Sequence, residues 1–279
     1  MWNAKVVYQT SCELADIAIA QQNKLVTEIK PDNSIVTQAD KMVEQRAIEL
    51  LAKPDKKIFV IGEETVKELS QQALDAALKG NSYLIDPIDG TVPYTSLTPV
   101  WGISIGYAEQ GKIVEGCIVL PGTFEVILTD NGVTYYGKGG DKLPDFDSLQ
   151  PLSLQLKENC TTPSRVLAIS QHTAKNRNVA KLKRGVGCYF SVVFPFVYLA
   201  LGRMAGIYAS LNVWDSGAGF AILKNLGFHL AFEDGQAVTF DVTKDFDFST
   251  YKEGKIMSRQ AMIMSPSKAF SDELLATIE

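Results

Sequence analysis

The spacing of hydrophobic residues predicts that the chain begins with helices. Apolar residues recur every three or four positions over residues 3–25, the period of a helix with one buried face. A second pattern of this kind covers residues 38–52 and includes Met42, Val43 and Leu51 on its inner side. Thr37 stands where a side-chain cap would begin this helix, and Pro54 ends it. We therefore expect two amphipathic helices before the first strand.

Short apolar runs between turn residues predict strands in the middle of the chain. Residues 57–61 and 83–85 are β-branched or aromatic, and both runs end abruptly in acidic residues. One or two short helices are expected between them, over residues 66–78. Four alternating segments follow, separated by glycine-containing turns, at residues 102–107, 113–120, 125–128 and 133–136. This region predicts an antiparallel meander beside two buried strands that deliver carboxylates to the edge of a sheet.

The rest of the chain alternates between helical and strand patterns. Residues 137–162 are polar and rich in Pro, Gly and Asp, which predicts a linker between two halves. The elements expected beyond it are a strand at 166–169, helices at about 172–182 and 191–202, a strand at 206–209, a helix at about 214–226, strands near 237–240 and 261–264, and a short helix after Pro266. The pattern indicates a layered fold of the α+β or α/β class, with halves at residues 1–140 and 141–279.

Composition narrows the classes of function. The chain has 279 residues, of which 46% are hydrophobic, and a formal net charge of -5. This acidic balance is unlike that of a non-specific binder of nucleic acid or anionic membranes, so neither partner is expected. We also expect no signal peptide and no membrane span, because no run approaches about 20 apolar residues. Four scattered cysteines favour reduced thiols and a cytoplasmic location.

An acidic segment follows the predicted strand at residues 83–85. Its residues are Asp86-Pro87-Ile88-Asp89-Gly90-Thr91. Two carboxylates and the Ile88 carbonyl are oxygen ligands of the kind that hard divalent cations bind. Gly90 allows close backbone approach, so its N–H and that of Thr91 could face a phosphate oxygen. Taken alone, the same segment is equally typical of an ordinary acidic turn.

Acidic residues in two further segments strengthen the metal-site interpretation. Glu63 and Glu64 end the strand predicted at residues 57–61, and Asp215 stands at a strand-to-helix junction. Asp215 has a second interpretation as a simple helix cap.

Four segments together resemble the inositol monophosphatase family, the lithium-sensitive, magnesium-dependent phosphatases that include 3′-phosphoadenosine phosphate and fructose bisphosphate phosphatases. They follow the family's order at similar intervals across nearly the whole chain: Ser34-Ile35-Val36-Thr37-Gln38-Ala39-Asp40, Ile61-Gly62-Glu63-Glu64, Asp86-Pro87-Ile88-Asp89-Gly90-Thr91 and Trp214-Asp215-Ser216-Gly217-Ala218-Gly219. The resemblance implies a layered αβαβα sandwich of the sugar-phosphatase type and a homodimer. It also implies that the N-terminal half carries most metal ligands, while the C-terminal half carries Asp215 and the substrate wall.

The resemblance also implies roles for individual residues. Two or three magnesium ions would be bound by the Ile88 carbonyl and by four carboxylates: Glu63, Asp86, Asp89 and Asp215. Thr91, paired with Asp40 or Glu63, would orient the attacking water, and the amides of Gly90 and Thr91 would hold the phosphate. The substrate side would be formed by Asp89, Gly90, Thr91, Tyr208 and Asp215. Lys30 would support a mobile loop at the metal site.

This assignment suits the chemistry of phosphate monoesters. Such a dianion resists attack by water, and clustered metal ions neutralise its oxygens, generate hydroxide and stabilise the leaving oxygen. No histidine nucleophile is needed, so His172 and His229, which lie outside the motifs, are expected to be structural or surface residues. With neither histidine in a motif, a Ser-His-Asp hydrolase is not expected.

Departures from the family pattern at three places affect the substrate wall. Val92-Pro93-Tyr94 follows Thr91 where family members often have Thr-Asn-Phe. Phe190 replaces a glycine, and Pro195 stands near the place of an aspartate. Tyr208 lies where inositol-specific enzymes carry an acidic residue, so a contact to a sugar hydroxyl is lost. The aromatic residues near this wall could line an apolar pocket, although filling the core is favoured for them.

Several substrates therefore remain candidates. The leading hypothesis is magnesium-dependent hydrolysis of inositol monophosphate or a similar polyol phosphate. The alternatives within this chemistry are 3′-phosphoadenosine 5′-phosphate, histidinol phosphate and a sugar bisphosphate. A different class of function is a non-catalytic metal-binding scaffold in which Val92-Pro93-Tyr94 distorts the water site.

Overall fold

The computed structural model describes residues 2–24, 26–29 and 35–279, so the predictions for Lys30 and Ser34 lie outside the described residues. Its helices are α1 (Ala4–Gln22), α2 (Gln38–Leu51), α3 (Gln71–Lys79), α4 (Thr91–Thr95), α5 (Gln171–Asn176), α6 (Val193–Ala200), α7 (Val213–Asn225), α8 (Val242–Asp245) and α9 (Lys268–Leu275). Its strands are β1 (Thr27–Ile29), β2 (Ile35–Thr37), β3 (Ile58–Gly62), β4 (Asn81–Asp89), β5 (Gly102–Glu109), β6 (Lys112–Leu120), β7 (Glu125–Asp130), β8 (Val133–Lys138), β9 (Gln150–Pro151), β10 (Leu167–Ile169), β11 (Val186–Gly187), β12 (Gly206–Ala209), β13 (His229–Phe232), β14 (Phe246–Asp247), β15 (Met257–Ser258) and β16 (Met262–Ser265).

Helices and two main sheets alternate in layers. Over the described residues, the larger sheet has the order β3-β4-β5-β6-β7-β8-β9, and the smaller has the order β11-β10-β12-β16-β13. Helices α1 and α2 share a core with one face of the larger sheet, and α6 and α7 lie between the two sheets. The outer face of the smaller sheet packs against α9. This arrangement confirms the predicted αβαβα sandwich.

The start of α2 follows the predicted capping chemistry. The Thr37 hydroxyl accepts hydrogen bonds from the backbone N–H groups of Ala39 and Asp40, at 3.1 and 3.4 Å. In return, Oδ2 of Asp40 accepts the Thr37 N–H at 2.7 Å. Reciprocal bonds of this kind satisfy backbone donors that the first helical turn leaves unpaired. The same bonds hold Asp40 in one orientation.

Helix α7 packs directly against the backbone of the larger sheet. A Cβ atom on Gly106 of β5 would lie 2.6 Å from the carbonyl carbon of Gly217, and one on Gly116 of β6 would lie 2.5 Å from the Cα of Ala218. Such distances are far shorter than van der Waals contact, so glycine is required at both sheet positions. The close approach brings the beginning of α7, with Asp215, to the same side of the sheet as the end of β4.

The meander predicted after Trp101 is confirmed as β5 to β8, each strand antiparallel to the next. The linker prediction is wrong in part, because β9 lies within residues 137–162 and pairs with β8. The larger sheet therefore extends beyond residue 140, the predicted boundary between the halves. Strand β9 could not be predicted, because a strand of only Gln150 and Pro151 has no periodicity to detect.

Other sequence predictions in the second half need correction. A strand was expected near residues 237–240, but the sheet instead contains β13, paired with β16, and Ala237 forms only an isolated bridge to Ala231. Helix α5 ends at Asn176, well before the predicted residue 182, because Arg177 adopts an extended conformation. In the first half, Met42 of α2 is on the exposed side rather than the inner side.

Candidate active site

A bulge at the end of β4 orients two aspartates. Asp86 pairs with Ser104 of β5 and Asp89 pairs with Gly102, so β4 has one more residue than its partner over this stretch. In a regular strand, residues three apart point to opposite faces, and one extra residue changes this relation. Pro87 occupies the bulge, where its missing N–H costs no ladder bond. Both carboxylates are buried, with 3% and 8% of their residue surface exposed.

Five carboxylates converge at this bulge. Burial raises the pKa of Asp86 well above its ordinary value, and the charges of four neighbouring carboxylates raise that pKa further: Glu63, Asp89, Asp215 and Asp40. Burial, followed by the charge of Asp89, raises the pKa of Asp215 to about 7. These effects require short separations between like charges. The structure thus brings together the acids that the sequence placed at four separate points.

Asp89 is connected to the start of α6. Its Oδ2 accepts hydrogen bonds from the Ser191 hydroxyl and from the backbone N–H groups of Val192 and Val193, at 2.7 and 2.8 Å for the two amides. Burial raises the pKa of Asp89, while these three bonds lower it. Because all three donors use Oδ2, Oδ1 is the oxygen of Asp89 that can face a cation. The sequence did not predict this role for Ser191.

Thr91 lies between Asp40 and the β4 bulge. Its hydroxyl is 3.4 Å from Oδ1 of Asp40 and 3.3 Å from the carbonyl oxygen of Ile88, and it can donate to one of them at a time. The preceding Gly90 has a φ of +93°, and a Cβ there would lie 2.9 Å from Cβ of Ser191. Glycine is needed at this turn for both reasons. Of the two partners predicted for Thr91, Asp40 is the one that the structure places in contact.

Glu63 lies in a turn that is held by a buried acid, Glu44. Oε2 of Glu44 accepts the N–H of Glu64 at 2.8 Å, and Oε1 accepts both the N–H and the hydroxyl of Thr65, at 2.9 and 2.6 Å. A Cβ on Gly62 would lie 2.4 Å from the Glu44 carboxyl carbon, so the turn closes around this side chain. Burial raises the pKa of Glu44 to about 7.

Glu44 was missed at the sequence level, although a signal was present. It follows Asp40 by four residues in α2, and residues four apart share a helix face. A charged residue within an otherwise apolar face is rarely buried without a partner or a function. One helix therefore contacts both Thr91, through Asp40, and the turn that carries Glu63, through Glu44.

The donor set suits a hard divalent cation. Carboxylate and carbonyl oxygens are the ligands that Mg²⁺ and Ca²⁺ prefer, and this site offers them from Glu63, Asp86, Ile88, Asp89 and Asp215. Within the described part of the chain, no three His, Cys, Asp or Glu side chains surround a common point as the ligands of one ion do. The carboxylates are thus close enough to repel one another, but they are not arranged around a single ion-binding point.

A cavity of about 170 Å³ adjoins these carboxylates and shares Asp89 and Asp215 with them. Its walls come from the ends of β10 and β12 and from the residues before α6. Phe190 lines it with 48% of its surface exposed, and Pro195 also contributes to the wall. The larger groove of about 620 Å³ lies along α2, and its described lining includes none of the predicted ligands. The smaller cavity is therefore the one that adjoins the predicted metal ligands.

Tyr208 requires a correction. It was predicted to face the substrate, but its side chain is only 2% exposed and packs in the core beneath α9. Its hydroxyl donates to Glu233 at 2.7 Å. The neighbouring strand residues Ile207 and Ala209 line the cavity instead, because successive side chains of a strand point to opposite faces.

The two histidines lie outside this site, as expected. His172 is exposed on α5, and Nδ1 of His229 is 2.9 Å from the Ser271 hydroxyl. Arg203 pairs with Glu125 at 3.4 Å.

Glu125 is a second buried acid with a different environment. It accepts a hydrogen bond of 2.6 Å from the Tyr136 hydroxyl, and Lys138 lies 3.7 Å away. Burial pushes the pKa of Glu125 upward, but hydrogen bonding and the charges of Lys138 and Arg203 bring it below its ordinary value. This carboxylate is neutralised within the protein.

No helix of the described residues has the length and apolar character that crossing a membrane would require.

Comparisons with known proteins agree with this geometry. The model of the inositol monophosphatase family matches residues 4–279. An inositol-1-monophosphatase of Mesorhizobium japonicum is 27% identical over 218 residues, which cover 76% of this chain and 77% of that protein. A fructose-1,6-bisphosphatase/inositol-1-monophosphatase of Thermotoga maritima is 25% identical, with 77% of each chain covered.

Solved structures show the same fold. An IMPase from Thermotoga maritima superposes with a TM-score of 0.70 at 18% identity, over 96% of this chain and 93% of that one. A staphylococcal inositol monophosphatase soaked in LiCl has a TM-score of 0.71 at 17% identity, over 98% and 92% of the two chains. With the four motifs, the converging carboxylates and the match of the family model over nearly the whole chain, the protein is a phosphatase that belongs to the inositol monophosphatase family.

Proposed function

We propose that the protein hydrolyses a small phosphate monoester with the help of two or three magnesium ions. The observation that carries this proposal is the convergence of buried carboxylates at the β4 bulge. In the proposal, the ligands are the Ile88 carbonyl and the side chains of Glu63, Asp86, Asp89 and Asp215. When bound, the ions would neutralise the phosphoryl oxygens and activate water.

The protein's own groups would orient the reactants. When the Thr91 hydroxyl donates its hydrogen to Asp40, its lone pairs are left to accept a hydrogen bond from water. Asp40 stays in place because the Thr37 N–H and hydroxyl both donate to it. This arrangement would hold a water in line for attack on phosphorus, while the amides of Gly90 and Thr91 hold the phosphate. Glu63 remains an alternative partner for the water.

The choice of substrate rests on the names of relatives and on the lining of the cavity. Related proteins named inositol-1-monophosphatase support inositol monophosphate or a similar polyol phosphate. One solved neighbour is described as an IMPase/NADP phosphatase complexed with NADP and Ca²⁺, which extends the candidates to larger esters. The lining of the cavity in this chain, in contrast, favours a less hydroxylated leaving group.

Phosphate release from a panel of monoesters, with and without MgCl₂, tests the proposal. The panel contains inositol 1-phosphate, 3′-phosphoadenosine 5′-phosphate, histidinol phosphate and a sugar bisphosphate. We expect release from at least one ester, dependent on magnesium and inhibited by lithium. If no ester of this panel is hydrolysed although magnesium binds, the result favours a non-catalytic metal-binding scaffold.

A homodimer and a cytoplasmic location also stay proposals. Free cysteines at positions 12, 117, 160 and 188 fit a reducing compartment. Analytical ultracentrifugation would contradict the dimer if the protein sediments as a monomer at micromolar concentration.

A further inference from the structure

The cavity beside the carboxylates is placed to receive the leaving group. It shares Asp89 and Asp215 with the proposed metal site, so a phosphate held there would direct its ester oxygen toward the cavity. Its volume is about 170 Å³. A cavity of ~150 Å³ in another protein accommodates benzene, so this one has room for a single ring.

The lining of the cavity is mostly apolar. Eight of its fourteen lining residues are apolar, among them Phe190, Val192, Pro195, Ile207 and Leu211. Of its polar members, Ser191 already donates to Asp89, which leaves Ser170, Gln171 and Ser210. A ring with many hydroxyl groups would give up hydrogen bonds to water here and regain few of them, and each polar group left unsatisfied weakens binding.

The charge of the lining is equally informative. Among the described residues that line the cavity, only Asp89 and Asp215 carry a charge, and both belong to the proposed metal site. A second phosphate group would meet no lysine or arginine from this part of the chain. The lining therefore disfavours bisphosphates as well as polyols.

Phe190 gives the cavity an aromatic rim. Its ring is half exposed although most large apolar side chains are buried, and its φ is +57°. A bulky residue rarely adopts this left-handed conformation, because it carries a cost in backbone strain. Such a cost without burial is unusual for a residue that only fills space. An aromatic face in this place can stack on a flat or apolar ring.

We propose that the leaving group of the natural substrate is a single flat or apolar ring with few hydroxyl groups, seated against Phe190. The proposal rests on the proposed phosphatase function and specifies its substrate class. It predicts discrimination by the alcohol part of the ester, with the phosphate part unchanged.

Two substrates with the same six-membered ring test this directly: cyclohexyl phosphate and inositol 1-phosphate, which differ only in the ring hydroxyls. The hydroxyls withdraw electrons and make inositol the better leaving group, so intrinsic reactivity favours inositol phosphate. We expect kcat/KM for cyclohexyl phosphate to be at least about tenfold higher, the discrimination that a methylene-sized apolar contact provides. Equal or higher kcat/KM for inositol 1-phosphate would overturn the proposal.

A matched pair of variants assigns the effect to the ring of Phe190. Phe190→Gly removes the ring and tolerates the same φ, so the preference should fall about tenfold. Leu97→Gly is the control, because Leu97 is also exposed with a positive φ of 58° but does not line the cavity. Unchanged preference in Phe190→Gly, or a similar loss in Leu97→Gly, would refute the role of this ring.

Measurements of binding test the leaving-group proposal independently of the phosphatase function. Calorimetric titration of both esters in CaCl₂ measures affinity without requiring turnover. If neither ester is hydrolysed, the proposed function fails, and the ratio of the two dissociation constants still decides the leaving-group class. Tighter binding of cyclohexyl phosphate supports the proposal, whereas tighter or equal binding of inositol 1-phosphate contradicts it.

Discussion

Two buried acidic regions of this protein have opposite electrostatics. Glu125 is fully buried, but a tyrosine hydroxyl and the cations of Lys138 and Arg203 lie close to it, and its pKa is below the ordinary value. Asp86 is also buried, yet the charges that shift its pKa are all carboxylates, and the shift is upward. Both acids avoid water, but within the described part of the chain only Glu125 has cationic side chains that lower its pKa.

The difference indicates what each region is for. Burying a carboxylate is costly unless a partner compensates its charge, and Glu125 satisfies this condition with its own side-chain partners. Among the described residues, only carboxylates contribute charge effects on Asp86, so protons at low pH or a cation from solution would relieve the repulsion there. A buried acid that is paired with lysine or arginine side chains supports the fold, whereas a cluster of buried acids is suited to bind a metal ion.

Replacing Asp86 should have the largest effect. Asp86→Asn removes a charged oxygen ligand while keeping the side-chain volume. We expect kcat/KM to fall at least about 100-fold, since even groups that only orient metal ligands are worth 10–100-fold. The metal-free variant should unfold at the same or a higher temperature than the metal-free parent, because like-charge repulsion is reduced. Wild-type turnover in this variant would contradict the assignment of the metal site.

Glu44 comes next, because it holds the turn that carries Glu63 without facing the cluster itself. Glu44→Ala should weaken magnesium activation about 10–100-fold. Glu44→Gln, which keeps one acceptor oxygen, should recover part of this loss. The half-saturating magnesium concentration and terbium binding followed by luminescence measure the effect. A variant that loses thermal stability but retains its metal affinity would show that Glu44 is purely structural.

The third prediction concerns pH and metal together. The pKa of Asp215 is raised to about 7, so the metal-free folded state binds more protons than the unfolded chain between about pH 4 and 7. Without metal, this contribution to stability is complete at about pH 4 and is lost as the pH rises through 7. At pH 8, magnesium at about ten times its dissociation constant should restore about 1.4 kcal/mol.

Scanning calorimetry at pH 5.5 and pH 8, with and without magnesium, measures this effect. A gain of about 1.4 kcal/mol corresponds to roughly 3–6 °C in unfolding temperature. The gain should be larger at pH 8, because metal ligands must lose their protons. Identical magnesium shifts at both pH values would argue against binding by carboxylates of raised pKa.

Replacing Glu125 should have the smallest effect. It should change the stability of the fold rather than metal activation or catalysis. Glu125→Gln should lower the free energy of unfolding by about 1 kcal/mol, a modest value because Lys138 and Arg203 are half exposed. Magnesium activation and kcat/KM should be unchanged. A change in magnesium affinity would show that the two acidic regions are coupled rather than independent.

The sequence was informative wherever a local rule applied. Thr37 and Asp40 follow the rules of helix capping, and the apolar runs at residues 57–61 and 83–85 identify strands that lead to acids. The layered fold was accessible through the order of the motifs. These features depend on residues close together in the chain, where spacing alone determines geometry.

Other features depend on contacts between distant segments. Glu44 and the turn at residues 64–65 are about twenty residues apart, and Ser191 is 102 residues from Asp89. Tyr208 was misassigned because the direction of a side chain in a four-residue strand changes with a shift of one position. No periodicity records such contacts, so the structure was needed to find them.

The close packing of α7 against Gly106 and Gly116 limits which substitutions this protein can accept. Any larger residue at either glycine would lift the helix and carry Asp215 away from the acids on β4. The cavity wall, by contrast, is built from side chains that can be exchanged while α7 stays packed on the two glycines. New specificities are therefore accessible to single substitutions in the wall, whereas the two glycines leave almost no room for variation.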